Sequence, residues 1–247
     1  MENFALAGSI AKGTAIHPLN DVDLFFFLPP AVYWRFDDYN SGGQSAMLQE
    51  IKCALSGTYS RSELKGDGQV VVLDTSSVCV ETIPAFHATD GRVLIADTNN
   101  GGQWKAINPR AELDFIEQFD DRMFFRYRPL VRMLKQWKRE CDVPIKSFHL
   151  ERVAAASLAR SQYPERVWFD WHFRDAIEVL LANVNESFDM PGNPGERISL
   201  GNQWYSKAVA VSQRALKACE YERLSRDFLA GAEWQKIFGR KIPEYLV

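Results

Sequence analysis

The chain has 247 residues, of which 46% are hydrophobic and 25% are charged, and its formal net charge is −3. This length and balance are typical of a globular protein with a sizeable core, in one large domain or two small lobes, and they exclude collagen, a coiled coil and a disordered chain. The slight acidity argues against a protein whose whole surface follows nucleic acid, because such a surface needs an excess of Lys and Arg.

The sequence shows none of the patterns of secretion, membrane insertion or a disulfide framework. Glu2 stands where a secretory signal would be basic, and the strongest apolar run, residues 24–28, is too short to span a bilayer. The four cysteines have no CxxC spacing. We therefore expect reduced thiols, a cytoplasmic location and no membrane partner.

The first hundred residues predict a strand-rich lobe. Short apolar runs between turn residues predict strands over residues 23–28, 69–73, 78–83 and 92–96, with a helix over about residues 45–55.

From Pro109 onward the apolar spacing becomes helical. Leu130, Leu134 and Trp137 recur at i, i+4 and i+7. Similar faces predict helices over residues 148–158, 171–181, 206–219 and 223–238, with a loop at residues 191–195. These patterns predict an α+β fold: a lobe with a mixed sheet and helices over residues 1–109, an all-helical lobe over residues 110–247, and a ligand site in the cleft between them.

The segment most informative about function is GSIAKGT, residues 8–14. The spacing of Gly8 and Gly13 suits a P-loop, but Lys12 precedes the second glycine instead of following it, so the P-loop interpretation fails. The turn still suits a phosphate, because Gly8 permits close approach of the backbone and the Ser9 hydroxyl can bind phosphate oxygens together with neighbouring N–H groups.

Three acidic residues follow in strand-like segments. Asp21 and Asp23 are two residues apart, so on a strand both side chains leave the same face, and adjacent carboxylates favour a divalent cation. Glu81 is a charged residue inside an apolar strand, which metal ligation would explain. A lone DxD is usually a solvated strand edge and a lone Glu usually faces water. Their combination with the Gly-Ser turn is more specific.

These segments resemble the nucleotidyltransferases of the DNA polymerase beta superfamily, and within them the bacterial cGAS/DncV-like nucleotidyltransferases, relatives of oligoadenylate synthase and cyclic GMP-AMP synthase. The resemblance runs over nearly the whole chain. It is carried by GSIAKGT, then DVDLFFFL at residues 21–28, VETIPAF at 80–86, GGQWKAINPRAE at 101–112, LVRMLKQWK at 130–138, IKSFHLE at 145–151 and WQKIFG at 234–239.

The resemblance implies a polymerase-beta-like catalytic lobe and a set of site residues. Asp21, Asp23 and Glu81 would be the catalytic, metal-binding carboxylates for two Mg²⁺ or Mn²⁺ ions, although many relatives have Asp at the third position. Gly8 and Ser9 would hold a phosphate. From the helical lobe, Lys135 and Ser147 would grip the triphosphate.

The implied function is that of a cyclic di- or oligonucleotide synthase. The enzyme would use NTPs, release pyrophosphate, and make a second messenger of bacterial anti-phage defence that a separate effector protein senses.

Lys135 also belongs to a basic stripe that the spacing itself predicts. Arg128, Arg132, Lys135 and Arg139 fall on one helix face, opposite the apolar face. For the three arginines we favour a solvated face that balances nearby acids, including Asp120. For Lys135 the motif favours nucleotide binding.

Two other functions remain open from the sequence. An RNA or tRNA 3′-end nucleotidyltransferase would use the same metals, but it predicts an extended basic surface, so nucleic acid is not expected as a stable partner. An inactive nucleotide-binding or protein-partner module is suggested by the short segment before Gly8, where relatives carry a helix. The intact acidic trio argues against it.

Overall fold

The computed structural model describes residues 3–19, 21–59, 63–74, 78–189 and 197–243. The chain divides into two compact units, Met1–Asp114 and Phe115–Val247. The division falls inside a helix, Pro109–Arg122, a few residues beyond the lobe boundary that the change of pattern at Pro109 suggested.

The first unit is built on a mixed seven-stranded sheet. Its elements in chain order are β1 (Phe4–Leu6), α1 (Gly8–Ala11), β2 (Asp21–Phe27), α2 (Pro30–Asp37), α3 (Gly43–Thr58), β3 (Glu63–Asp67), β4 (Val70–Asp74), β5 (Cys79–His87), β6 (Val93–Asp97) and β7 (Gln103–Ile107). The strands run in the order β1-β2-β5-β4-β3, and β6 pairs with β5 and β7. Only the β2–β5 pair is parallel among the described strands.

The two faces of this sheet bury separate apolar clusters. Phe86 packs on one face with Phe36 of α2 and Met47 of α3. Phe25 and Ile95 belong to a cluster on the other face. Since side chains alternate along a strand, the second face is also the face of the odd-numbered residues of β2 and β5, which include the acids discussed below.

The predicted strands all form, with shifted bounds. β2 begins at Asp21, two residues earlier than predicted, and β5 extends to His87 because its first half pairs with β4 and its second half with β6. The helix α2 was not predicted, since Pro29-Pro30 indicated only the end of a strand. Pro30 instead occupies the first turn of α2, where a missing N–H is tolerated.

The second unit is mainly helical. It contains the end of α4 (Pro109–Arg122) and then α5 (Tyr127–Glu140), α6 (Ser147–Arg160), α7 (Phe169–Ala182), β8 (Ser187–Asp189), β9 (Arg197–Ser199), α8 (Tyr205–Arg223) and α9 (Asp227–Phe238). Leu130, Leu134 and Trp137 are fully buried, so the apolar face predicted from their spacing is confirmed. They pack in one core with Phe173 and Trp204.

Two details of the second unit correct the prediction. It is not all-helical, because β8 and β9 form a two-stranded antiparallel ribbon. The helix predicted over residues 223–238 is the end of α8 followed by α9, and Ser225 between them has a φ of 54°, which no helix accommodates. The loop predicted at residues 191–195 lies outside the described residues. None of the helices formed by the described residues is long and apolar enough to cross a membrane.

Candidate active site

The predicted carboxylates lie side by side on the two parallel strands of the first unit. In the β2–β5 register Asp23 is opposite Glu81, and Asp21 is opposite Cys79. Because side chains two residues apart leave the same face, Asp21, Asp23 and Glu81 share one face of the sheet. Phe25 and Phe27 continue this face toward the apolar cluster, so the acids form its polar end.

The surroundings of Asp23 disfavour the ionised form of its carboxyl group. Burial, followed by repulsion from the Asp21 carboxylate, raises the pKa of Asp23 above its ordinary value of 3.8. Three contacts oppose this rise: a hydrogen bond with the Glu81 side chain, the charge of Lys12, and a hydrogen bond donated by the backbone N–H of Ser9. Two carboxyl groups in contact can share either a proton or a cation, so Asp23 and Glu81 favour positive charge between them.

The Gly8-Ser9 turn is built against Asp23. The N–H of Ala7 donates to the carbonyl of Asp23 at 2.9 Å, and Gly8 follows with a φ of 54°. A Cβ atom at Gly8 would lie 1.6 Å from Oδ2 of Asp23. Glycine is therefore required here both by the left-handed backbone and by the carboxylate that takes the space of a side chain.

The two polar groups of Ser9 have separate roles in this arrangement. The backbone N–H of Ser9 donates to the Asp23 carboxylate. The Ser9 hydroxyl stays the predicted phosphate ligand, on the half-buried first turn of α1.

Lys12 is a site residue that the sequence reasoning missed. Its Nζ is 2.7 Å from Oε1 of Glu112, both side chains are largely buried, and its charge also lowers the pKa of Asp23. The sequence argument used Lys12 only to exclude a P-loop. The available signal was its position one turn after Gly8, which directs it back toward the start of β2.

The donor set of the acidic face suits a hard cation such as Mg²⁺, because carboxylate oxygens are its preferred protein ligands. Asp23 and Glu81 are already in contact. Among the described residues, however, the set of three whose ligand atoms all lie within 4.8 Å of one another is Asp170, Cys219 and Glu222, not the acids of β2 and β5. Asp21, the third acid of this face, is exposed at the start of β2.

The Asp170 cluster in the second unit is a weaker metal site than its spacing suggests. Burial and the nearby Asp170 carboxylate raise the pKa of the Cys219 thiol to about 12. The thiol is therefore protonated at neutral pH, and a thiol binds metals only as the thiolate.

The two residues predicted to grip the triphosphate lie in the second unit. Lys135, on α5, is buried and its Nζ is 3.3 Å from Oε1 of Glu151 on α6. Ser147 begins α6, and its Oγ accepts a hydrogen bond from Nζ of Lys138 at 3.4 Å. Two neighbouring lysines of α5 thus contact α6, one through a buried carboxylate and one through the predicted serine.

The basic stripe of α5 is only in part the solvated face that its spacing predicted. Arg132 is exposed. Arg128 is bound to Oδ2 of the buried Asp120 at 2.9 Å, and Oδ1 of Asp120 accepts the N–H of Tyr127 at the start of α5. The prediction that Asp120 balances this stripe is confirmed, and the carboxylate also caps the helix.

Comparisons with known proteins agree with this fold. Residues 1–119 match the Second Messenger Oligonucleotide or Dinucleotide Synthetase domain family. A probable cyclic nucleotide synthase of Bacillus cereus is 22% identical over 96% of this chain and 81% of its own length. A cyclic AMP-AMP-AMP synthase of an Acinetobacter species is 22% identical over 96% of this chain and 72% of its own length.

Among solved structures, the Vibrio cholerae DncV cyclic AMP-GMP synthase, in complex with a linear intermediate, superposes with a TM-score of 0.77 at 12% identity. The match covers 97% of this chain and 70% of that one. This likeness confirms the predicted fold, a polymerase-beta-like lobe with a mixed sheet followed by a helical part.

The fold and the matching sequence relatives define a nucleotidyltransferase. More closely, the chain is similar to the cGAS/DncV-like nucleotidyltransferases, the group that its motifs resemble.

Proposed function

We propose that this nucleotidyltransferase joins nucleoside triphosphates into a cyclic di- or oligonucleotide. The observation that carries the proposal is the β2–β5 register, which places Glu81 opposite Asp23, whose carboxylate lies against Gly8. The names of both sequence relatives support the cyclic product.

Asp21, Asp23 and Glu81 would hold the divalent cations, two Mg²⁺ or Mn²⁺ ions. Bound there, the ions would lower the pKa of an attacking hydroxyl group and neutralise charge on the departing pyrophosphate. Ser9 would orient a phosphate oxygen through its hydroxyl. Its N–H keeps the Asp23 carboxylate in place, and Lys12 offsets part of the negative charge of the acidic face.

In the second unit, Ser147 and Lys135 would bind the triphosphate. Ser147 already accepts a hydrogen bond from Lys138, so its hydroxyl lies beside a cationic group. Lys135 pairs with Glu151, which fixes the direction of the long lysine side chain. The side chain then loses less conformational entropy when the triphosphate binds.

The product would act as a second messenger in bacterial anti-phage defence, read by a separate effector protein in the cytoplasm. The description of the domain family that residues 1–119 match supports the second-messenger role of the product.

The test is a product assay. The purified protein is incubated with all four NTPs and Mg²⁺ or Mn²⁺, treated with phosphatase and examined by mass spectrometry. We expect a phosphatase-resistant cyclic nucleotide whose mass identifies its bases. The Asp21→Ala/Asp23→Ala variant should give none, and Asp90→Asn, which removes an exposed acid of a turn in the same unit, should match the wild type.

The outcomes separate the candidate functions. Nucleotides added to the 3′ end of an RNA, with no cyclic product, would replace the proposal with an RNA nucleotidyltransferase. No product from the wild type under any of these conditions, with or without RNA, would leave a nucleotide-binding or protein-partner module.

A further inference from the structure

An exposed aromatic surface lies on the second unit, where the segment between α4 and α5 meets the segment between α6 and α7. We define the aromatic surface by five side chains that are 40% to 61% exposed: Phe124, Phe125, Tyr163, Trp168 and Trp171. Arg126 joins the two segments, since its guanidinium donates to the backbone carbonyls of Phe124, Glu165 and Arg166.

The backbone presents two of these rings in a strained conformation. Phe124 and Phe125 have φ values of 53° and 61°, in the left-handed region that bulky residues rarely adopt. Glycine or asparagine is the usual residue where a helix ends in this conformation. Two phenylalanines there add conformational strain and expose apolar area.

The size of the aromatic surface suits a protein interface. Each large aromatic side chain offers roughly 200 Å², so five half-exposed rings present about 500 Å². That is near the upper end for the largest apolar patch of a monomer, roughly 300–600 Å². It is also more than half of the about 800 Å² that each partner contributes to a stable interface.

Two charged residues next to the rings are available for pairing. Arg166 is exposed and stacks over the rings of Tyr163 and Trp168, at 4.5 and 4.2 Å from their centroids, and a stacked guanidinium can still donate hydrogen bonds in its own plane. Glu165 precedes it and is exposed. Within the described part of the chain, neither side chain has an ion-pair partner.

We propose that the aromatic surface is the interface of a homodimer with two-fold symmetry, in which Arg166 of each copy pairs with Glu165 of the other. A two-fold interface brings the same patch together with itself, so it must carry its own complement. Adjacent unpaired charges of opposite sign, flanked by exposed Trp, Tyr and Phe, meet this requirement. A nucleic acid fits less well, because Glu165 would repel phosphate and the Arg126 guanidinium is already occupied by carbonyl groups.

The test is the oligomeric state of the full chain, measured by sedimentation velocity over a wide concentration range. We expect a concentration-dependent dimer. Arg166→Glu and Glu165→Arg should each weaken it by at least about tenfold, because each places like charges across the two-fold axis. An equimolar mixture of the two variants should restore dimers, since each copy then faces the opposite charges. Arg92→Glu, an exposed arginine of the first unit, is the control and should leave the dimer unchanged.

A second variant separates association from folding. Asn tolerates the left-handed backbone, so Phe125→Asn should unfold at the same or a higher temperature than the wild type while its dimer weakens. A wild type that stays monomeric at every concentration would overturn the proposal, and the surface would then belong to another molecule. A dimer that neither charge variant weakens would overturn it as well.

Discussion

The substitution Gly8→Ala tests the candidate site most directly, because two separate physical effects meet at this residue. At a φ of 54° an alanine is strained, which costs about 1–2 kcal/mol of stability. Its Cβ would also lie 1.6 Å from Oδ2 of Asp23, and Cβ contacts under 3.0 Å essentially never occur. The carboxylate oxygen must therefore move by about 1.4 Å or more.

We expect this movement to lower the rate of product formation by about a hundredfold, since a displacement near 1 Å in a catalytic constellation has an effect of that order. The rate is measured with NTPs and Mg²⁺ at saturating concentrations, and the free energy of unfolding is measured by denaturant titration.

Gly91→Ala is the matched control. Gly91, in the turn between β5 and β6, has a φ of 83°, but a Cβ there meets nothing within 4 Å. The control should lose about the same 1–2 kcal/mol of stability and keep its activity. If folded Gly8→Ala made product at the wild-type rate, or Gly91→Ala lost as much activity, the argument that Gly8 positions Asp23 would be wrong.

Three further predictions concern charge. Burial and repulsion disfavour the charge of Asp23, so without metal Asp23→Asn should be at least as stable as the wild type. Added Mg²⁺ should raise the unfolding temperature of the wild type much more than that of Asp23→Asn, and equal shifts would argue against a metal site. In the second unit, burial tends to raise the pKa of Glu233, but hydrogen bonds from Lys217 and Lys236 lower it below 4.5. The stabilisation of the fold by ionised Glu233 is therefore complete above about pH 4.5, and it is lost as the pH falls through the lowered pKa of Glu233. Glu233→Gln should lose about 1–3 kcal/mol at neutral pH and show a flatter decline of unfolding free energy in acid, and an unchanged pH profile would contradict this. Finally, Lys135→Met leaves the buried Glu151 carboxylate without its cation and should lose about 3–5 kcal/mol, much of which Lys135→Met/Glu151→Met should recover. Denaturant titration checks both variants, and a fully stable Lys135→Met would show that the pair is not structural.

Local pattern was enough to predict much of this protein. The spacing of Leu130, Leu134 and Trp137 predicted a buried helix face because a helix repeats every 3.6 residues. The two-residue separation of Asp21 and Asp23 predicted their shared face because a strand repeats every two. Short segments spread over nearly the whole chain carried the family resemblance, and the domain match over residues 1–119 and the fold support it.

Other local features misled the prediction because the same residue serves two structures. Pro29-Pro30 indicated the end of a strand, and Pro30 in fact begins α2. Ser225 was assigned to one long helix, and its backbone separates α8 from α9.

Which residues meet across the fold depended on tertiary structure alone. The sequence placed Glu81 on a strand but gave no register. The parallel pairing of β2 with β5 puts it opposite Asp23, and a shift by one residue would turn it to the other face. Lys12 joins the site because α1 returns it toward the acids, and Lys135 is buried because α6 supplies Glu151. Periodicity is a property of neighbouring residues, so it can be read from a short stretch of sequence. Pairing between distant segments depends on how whole helices and strands pack, and no short stretch of sequence contains that information.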